Sequence, residues 1–556
     1  MFSTFMKRWA ALSGAMILTL VMQLQAQEIN MKPVTHTYVL KNVTVVTSPG
    51  NSINGATVVI KDGLIHAVGT DVSIPVDAIS VDADSLTVYA GFIDGLSQTG
   101  IKKPEDRNNR NNVEDPGNPP NELAGITPNK SVRENLDPSE KSIEAMRKAG
   151  FTMSHVVPGD GILPGKGSVV LLAGNGTDEM IFRENVSLYG TLNGARRMYP
   201  STVIGVMAKY RELYRNAELM KKDRTYYASN PSGMQRPSSD RVTEALLPVI
   251  DGQLPVMFQA EDIKTVQRVM KLQDELGFRL MLAGVKQGWD ATEDIKSANI
   301  PVFLSLDLPE WKEDKTDSAE EMSEEKKALE ERKNAVLMNH YTLPSKWSEA
   351  GIRFGFTTMG AKSSSLHQVL NTMKQKGVSD DVLLAGLTTG PAALLGLSRV
   401  AGTVEAGKLA NLVVTDGNYF DEDGKVRYVF VEGKMFSYES KPNKGNGKGD
   451  AKKDPEGLWS YSSETPDGTS TGEIILKKDG ASYSGEIRDK RSGYKFDLDN
   501  ITVDGSNVSF RFNYSDGANQ FPLSVSLDID GNTFSGLIDG GSIGKFPIEG
   551  KRLPEN

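Results

Sequence analysis

Between residues 254 and 304 the chain repeats one short cycle. Leu254-Pro-Val-Met-Phe258 reads as a buried strand. Ile263, Val266, Val269, Met270 and Leu276 then recur at helical spacing, and Gly277 stands where a helix stops. Phe278-Arg-Leu-Met-Leu282 is strand-like again, a helix is expected near 290–298, and Ile300-Pro-Val-Phe-Leu304 closes the cycle. Strand–helix–strand repeats of this length imply parallel βα units, because parallel neighbours must be joined by a crossover. The alternation is expected over about 145–397. A doubly wound sheet fits the periodicity alone, and there are enough units for a closed barrel.

The flanks read differently. His36-Thr-Tyr-Val-Leu, Val43-Thr-Val-Val and Ala56-Thr-Val-Val-Ile are β-branched strand runs, with a turn at Lys61-Asp62-Gly63. Strands return over 401–437 in Asn411-Leu-Val-Val-Thr415 and Tyr428-Val-Phe-Val431. A Gly/Lys/Asn-rich linker occupies 438–455. Beyond it, 456–556 reads as a small antiparallel barrel or sandwich of about seven or eight strands, with hairpin signals at Asp479-Gly480, Asp504-Gly505 and Asp530-Gly531. Trp459, Tyr483 and Tyr494 are expected in its core. Asp528-Ile-Asp530-Gly-Asn lacks the spacing and terminal Glu of a calcium loop and reads as a turn. Two polar stretches interrupt the central region: an expected exposed loop over 102–140 and a charged surface helix over 312–335. A helix over 203–227 would bury Met207, Tyr210, Leu213 and Tyr214.

Residues 1–26 carry Lys7 and Arg8, an apolar run from Ala10 to Met22, and Leu24-Gln25-Ala26. This is the layout of a secretory signal peptide, with export across a bacterial inner membrane to the periplasm and no membrane span after its removal. Hydrophobic residues at 38% and charged residues at 24% exclude wholesale disorder and a multi-span membrane protein. A net charge of −9 argues against nucleic acid as a partner. The absence of cysteine removes disulfides, thiolate metal sites and thiol nucleophiles. Pro158-Gly-Asp-Gly-Ile-Leu-Pro-Gly-Lys-Gly167 is glycine-rich but lacks phosphate-loop spacing.

Two blocks resemble the amidohydrolase superfamily, particularly its imidazolonepropionase-like branch. The first is Ala90-Gly-Phe-Ile-Asp94-Gly-Leu96-Ser-Gln98. The second is Leu387-Thr-Thr-Gly-Pro391-Ala-Ala-Leu-Leu-Gly396 followed by Gly402-Thr-Val-Glu-Ala-Gly407-Lys408-Leu-Ala410-Asn411-Leu-Val-Val414. The resemblance implies a TIM-like (β/α)8 barrel over 91–397. A composite β-sandwich would be built from 27–90 and 398–437, with the all-β domain appended. It also implies one or two divalent metals held by a His-x-His, two further histidines and an Asp.

At the matching positions stand Leu96 and Gln98 for the His-x-His, Gln259 for the strand-five His, Gly284 for the strand-six His, and Met359 for the Asp. None is a good ligand for zinc. The chain holds five histidines, of which only His155, His340 and His367 fall in barrel territory. The expectation is therefore an amidohydrolase homologue without the family metal. Leu96, Gln98, Gln259, Gly284 and Met359 would line a ligand pocket, and the protein would bind a small molecule, act as a scaffold, or pair with itself or with an active amidohydrolase. One alternative is an active enzyme with a relocated zinc site drawing on His155, Glu261 and Asp307. Another is a binding protein acting through the C-terminal β domain.

Overall fold

The computed structural model describes residues 36–102, 113–194, 198–311, 324–438 and 455–553, apart from short turns at 466–467, 480–481, 491–492, 505–506, 516–519, 531 and 541–544. Residues 1–26, expected as a signal peptide, nearly all of the linker and the first half of the charged insertion lie outside the described residues. The chain divides into two compact units, Met1–Lys441 and Pro442–Asn556.

The first unit opens with β1 (Tyr38–Ser48), β2 (Asn51–Lys61), β3 (Leu64–Gly69), β4 (Ile79–Val81) and β5 (Thr87–Ala90). It continues with β6 (Phe92–Ser97), β7 (Phe151–Val156), β8 (Gly165–Leu171), β9 (Ile181–Gly190), β10 (Val256–Gln259), β11 (Leu280–Val285), β12 (Val302–Ser305) and β13 (Phe354–Thr357). It ends with β14 (Leu412–Asp416), β15 (Lys425–Val431) and β16 (Lys434–Ser437). The outer strands form one eight-stranded sheet, β16-β15-β14-β5-β1-β2-β3, with β4 on the edge of β1. Its two halves meet where β14 runs antiparallel to β5, Leu412 opposite Ala90.

The second sheet holds β6 to β13 in sequence order. This is the nearly closed barrel, and its closure is made by side chains. The Thr357 hydroxyl on β13 donates to the Leu96 carbonyl on β6 at 2.5 Å. Regular alternation fails at one place: β8 runs antiparallel to both β7 and β9. Only eight residues, 157–164, separate β7 from β8. A parallel crossover needs a dozen or more, so this glycine-rich connection can only turn back.

One residue or more from each of β6 to β12 fills the barrel interior, among them Met153, Val169, Met257, Met281 and Phe303. Phe303 is fully buried. A Cβ added at Gly95 of β6 would lie 2.0 Å from its ring, and one at Gly355 of β13 would lie 2.8 Å away. The two glycines make the space that this aromatic occupies. Outside the barrel, the helix Val203–Ser229 buries Val206, Tyr210, Leu213, Tyr214 and Ala217 on one stripe. The helix Ile263–Leu276 starts at Asp262, whose side chain accepts from the Lys264 and Thr265 amides, and stops at Gly277.

Part of the stretch expected as exposed is not. Ile126, Val132 and Leu136 are buried, and Ile126 bridges to Leu163 while Ser131 bridges to Lys166. Apolar residues placed between the polar ones pin this segment to the barrel. The charged insertion continues into the helix Glu324–Glu349, which is exposed over most of its described first turns and then buries Leu337, Tyr341, Leu343 and Trp347. Among the described residues, no helix is long and apolar enough to cross a membrane.

The second unit is a single antiparallel sheet of nine strands between Gly457 and Arg552, more than the seven or eight expected. Its first strand pairs with its last, Trp459 opposite Arg552. All three hairpin signals mark hairpins, since Asp479 pairs with Ser482, Asp504 with Asn507 and Asp530 with Thr533. Trp459, Ile474, Phe510, Leu527 and Ile548 fill its core. Of the three aromatics expected inside, only Trp459 is fully buried. Tyr483 is half-buried, and Tyr494, beside a turn rather than within a strand, is 52% exposed.

Candidate functional site at the barrel mouth

In a barrel of this kind, side chains at the C-terminal ends of the parallel strands face a common opening. Here those ends carry a polar rim over an apolar floor. Leu96 is fully buried within the interior cluster, and Met359 packs against the same cluster from just beyond β13. Two of the positions where the resemblance calls for metal ligands therefore fill space.

The rim is a run of hydrogen bonds from strand to strand. Gln98 donates its amide to Asp160 Oδ1 at 2.9 Å. The Tyr189 hydroxyl donates to Gln259 Oε1 at 2.6 Å, and Gln259 Nε2 donates to Glu261 Oε1 at 3.0 Å. The Lys286 ammonium lies 3.0 Å from Glu261 Oε2 and 2.7 Å from Asp307 Oδ2. Gly284 is beside Gln259 and has φ +75°, a left-handed conformation that favours glycine; a Cβ there would sit 3.5 Å from Gln259 Cγ.

The electrostatics follow from these contacts. Burial disfavours the Lys286 ammonium, but Asp307 and Glu261 outweigh it and raise its pKa above the ordinary lysine value. Burial raises the pKa of Tyr189, and the charges of Asp160 and Glu261 add to the effect. Asp94 lies fully buried near the seam of the barrel. It accepts from the Leu96 amide at 3.2 Å, the Thr358 amide at 3.0 Å and the Thr358 hydroxyl. Burial pushes its pKa up to about 7, although the hydrogen bonds from Thr358, Leu96 and Ser154 oppose the shift.

Each barrel histidine is committed to a backbone carbonyl. His155 is fully buried in the wall. It donates from Nδ1 to the Gly95 carbonyl at 3.1 Å, so Nε2 accepts from the Ser187 hydroxyl at 2.9 Å. Burial pushes its pKa down to about 4. His340 Nδ1 bonds the Lys286 carbonyl at 2.8 Å, and His367 Nε2 bonds the Tyr419 carbonyl at 2.8 Å. Among the described residues, no group of three or more His, Asp or Glu side chains is arranged to hold a metal.

The structure thus brings Gln259, Glu261, Gly284 and Asp307 together and places Gln98 on Asp160. Leu96 and Met359 lie in and against the floor, and His155 is in the wall away from Glu261 and Asp307. Lys286, Tyr189, Asp160 and Asp94 were not singled out from sequence as site residues. Lys286 had one available signal, its position shortly after a predicted strand that ends at Leu282. Asp160 lay in a glycine-rich loop. Nothing marked Tyr189.

Comparison with known proteins bears on this arrangement. The amidohydrolase family model matches residues 286–436, from the end of β11 to β16. Over that stretch, about a quarter of its length, the chain is similar to the amidohydrolase family. An amidohydrolase from Thermotoga maritima MSB8 is similar to it in structure, with a TM-score of 0.59 and 22% identity over 72% of this chain and 100% of that one. At that identity the likeness speaks for the fold alone. A Xaa-Pro dipeptidase with bound methionine (TM-score 0.44, 16% identity, 72% and 100% coverage) and an ochratoxinase from A. niger (0.40, 14%, 73% and 96%) score too low to carry an argument. No curated protein matches the chain.

Amidohydrolase chemistry implies a divalent metal, and the residues at the mouth can be tested against it. They do not fit. The Leu96 side chain offers no donor atom and Met359 only a weak thioether. Gly284 has no side chain. The Gln259 amide is engaged on both sides, and the nearby carboxylates Glu261 and Asp307 already share a lysine.

Proposed function

We propose that this amidohydrolase homologue binds a small polar ligand, or serves as a scaffold, at the barrel mouth without the metal-dependent hydrolysis of its superfamily. One observation carries the reading: the side chains at the former ligand positions pack in the floor or are engaged by neighbouring side chains along the rim. A mouth of amides, carboxylates, a phenol and an ammonium over an apolar floor suits recognition of a polar small molecule. The layout of residues 1–26 supports a periplasmic setting, and pairing with a second copy or with an active amidohydrolase extends the same reading.

The test is the metal content of the protein purified without chelators, followed by a zinc titration monitored by calorimetry. Clearly substoichiometric metal and no zinc heat are expected. One or two tightly held ions per chain would sink the reading and return attention to a relocated site. That second reading draws on the meeting of Glu261 and Asp307. It requires Glu261→Ala and Asp307→Ala each to lower a measured hydrolysis by orders of magnitude.

A further inference from the structure

Three neighbouring strands end in a matched set of charges. Glu261 stands two residues beyond β10, Lys286 directly after β11, and Asp307 two residues beyond β12. The Lys286 ammonium touches a carboxylate oxygen of each neighbour, at 3.0 Å and 2.7 Å. Those two oxygens are therefore less than about 6 Å apart, and without a cation between them they would repel. The lysine is not a loose surface side chain. Its amide donates to the Glu261 carbonyl at 2.9 Å, and its carbonyl accepts from His340 Nδ1 at 2.8 Å. Its side chain is only 21% exposed. Backbone and side chain are held at three points.

We infer that Lys286 is a built-in counter-ion that does at this mouth what a divalent cation does in a metal-dependent relative: it neutralises and binds together the carboxylates at the ends of adjacent strands. The inference rests on the reading of the mouth as metal-free. It explains why two acidic side chains persist there beside Gln259 and Gly284. It also assigns Lys286 a positioning role, because its ammonium ties the side chains of the rim from Tyr189 through Gln259 to Glu261 to Asp307.

The test uses the full-length protein and manganese chloride as the probe, with the thermal midpoint and bound metal per chain as readouts. The wild-type midpoint should not respond to manganese. Lys286→Met keeps the length and loses the charge. It should melt lower in the presence of chelator, and its midpoint should climb with the logarithm of manganese concentration. Adding Glu261→Gln and Asp307→Asn to it should restore part of the lost stability and abolish the manganese response. A Lys286→Met protein as stable as wild type and indifferent to manganese would overturn the inference while leaving the metal-free reading intact. Metal bound by the wild type as purified would overturn both. Should Lys286→Met not fold, the comparison passes to the triple variant. The counter-ion role requires that variant to fold, and its failure would show that Lys286 acts through packing instead.

Discussion

The chain holds two β-rich units built on opposite plans. The N-terminal unit's barrel is mostly parallel, so each parallel step needs a crossover, and the strand ends are left to loops that gather Gln98, Asp160, Glu261, Lys286 and Asp307. The C-terminal unit is an antiparallel sheet whose hairpins at Asp479–Ser482, Asp504–Asn507 and Asp530–Thr533 leave only two residues each between paired strands. Among the described residues its buried interior is almost wholly apolar, Ser463 excepted. Parallel pairing therefore brings chemistry as a by-product of its long connections, whereas antiparallel pairing brings economy of chain.

The comparison is sharpened most by emptying one core. Phe303→Ala should cost about 3–5 kcal/mol, since the space between Gly95 and Gly355 is shaped to this ring. In calorimetry the N-terminal unit's transition should fall and the C-terminal one should stay in place; a common shift of both would show that the two units do not melt independently.

Acidity should separate the two units once one buried group of the first is removed. Asp94 has a folded pKa of about 7, raised above its ordinary value of 3.8. The folded state holds its proton more tightly, so its contribution is complete below about pH 4 and is lost as pH rises through 7, up to about 4 kcal/mol in all. His155 works in the opposite sense. Its folded pKa of about 4 lies below the ordinary 6.5, so its contribution is present above pH 6.5 and is lost as pH falls through 4. Between pH 4 and 6.5 the two slopes oppose and largely cancel, so Asp94→Asn should expose the His155 slope, with the N-terminal unit's transition climbing as pH rises from 4 to 6.5. In the C-terminal unit burial raises Tyr461 above the ordinary tyrosine range, so this group stays protonated and adds no slope over the same interval. Melting curves across pH 4–8 check both, and an unchanged slope in Asp94→Asn would refute the assignment.

A smaller effect tests the rim. Gln259→His restores the residue type of the family, yet it breaks the bonds to Tyr189 and Glu261. A loss of about 1–2 kcal/mol is expected, with no zinc uptake on titration. Zinc binding by this single variant would show that the mouth lacks one ligand and not a whole site. The smallest effect belongs to the C-terminal unit's surface: Tyr494→Ser should move that transition by no more than about 0.5 kcal/mol, measurable by urea unfolding.

Much of this molecule was legible in the sequence. Helical and strand periods over 254–304 identified the βα units, and Asp-Gly dipeptides located the hairpins, because both signals are local. The antiparallel β8 was missed because the expected alternation took no account of how short 157–164 is. The buried part of the 113–140 segment was missed because its few apolar residues are scattered among polar ones.

The sequence by itself determined which residue types stand at the positions matched to the family's ligands: Leu96, Gln98, Gln259, Gly284 and Met359, in a chain with only three histidines in barrel territory. Only the tertiary structure decided what gathers around them. Lys286 meets Glu261 and Asp307 because three successive strands end side by side, and Asp94 meets Thr358 across 264 residues because the last barrel strand returns to the first. Such contacts depend on sheet closure, and no spacing along the chain encodes them.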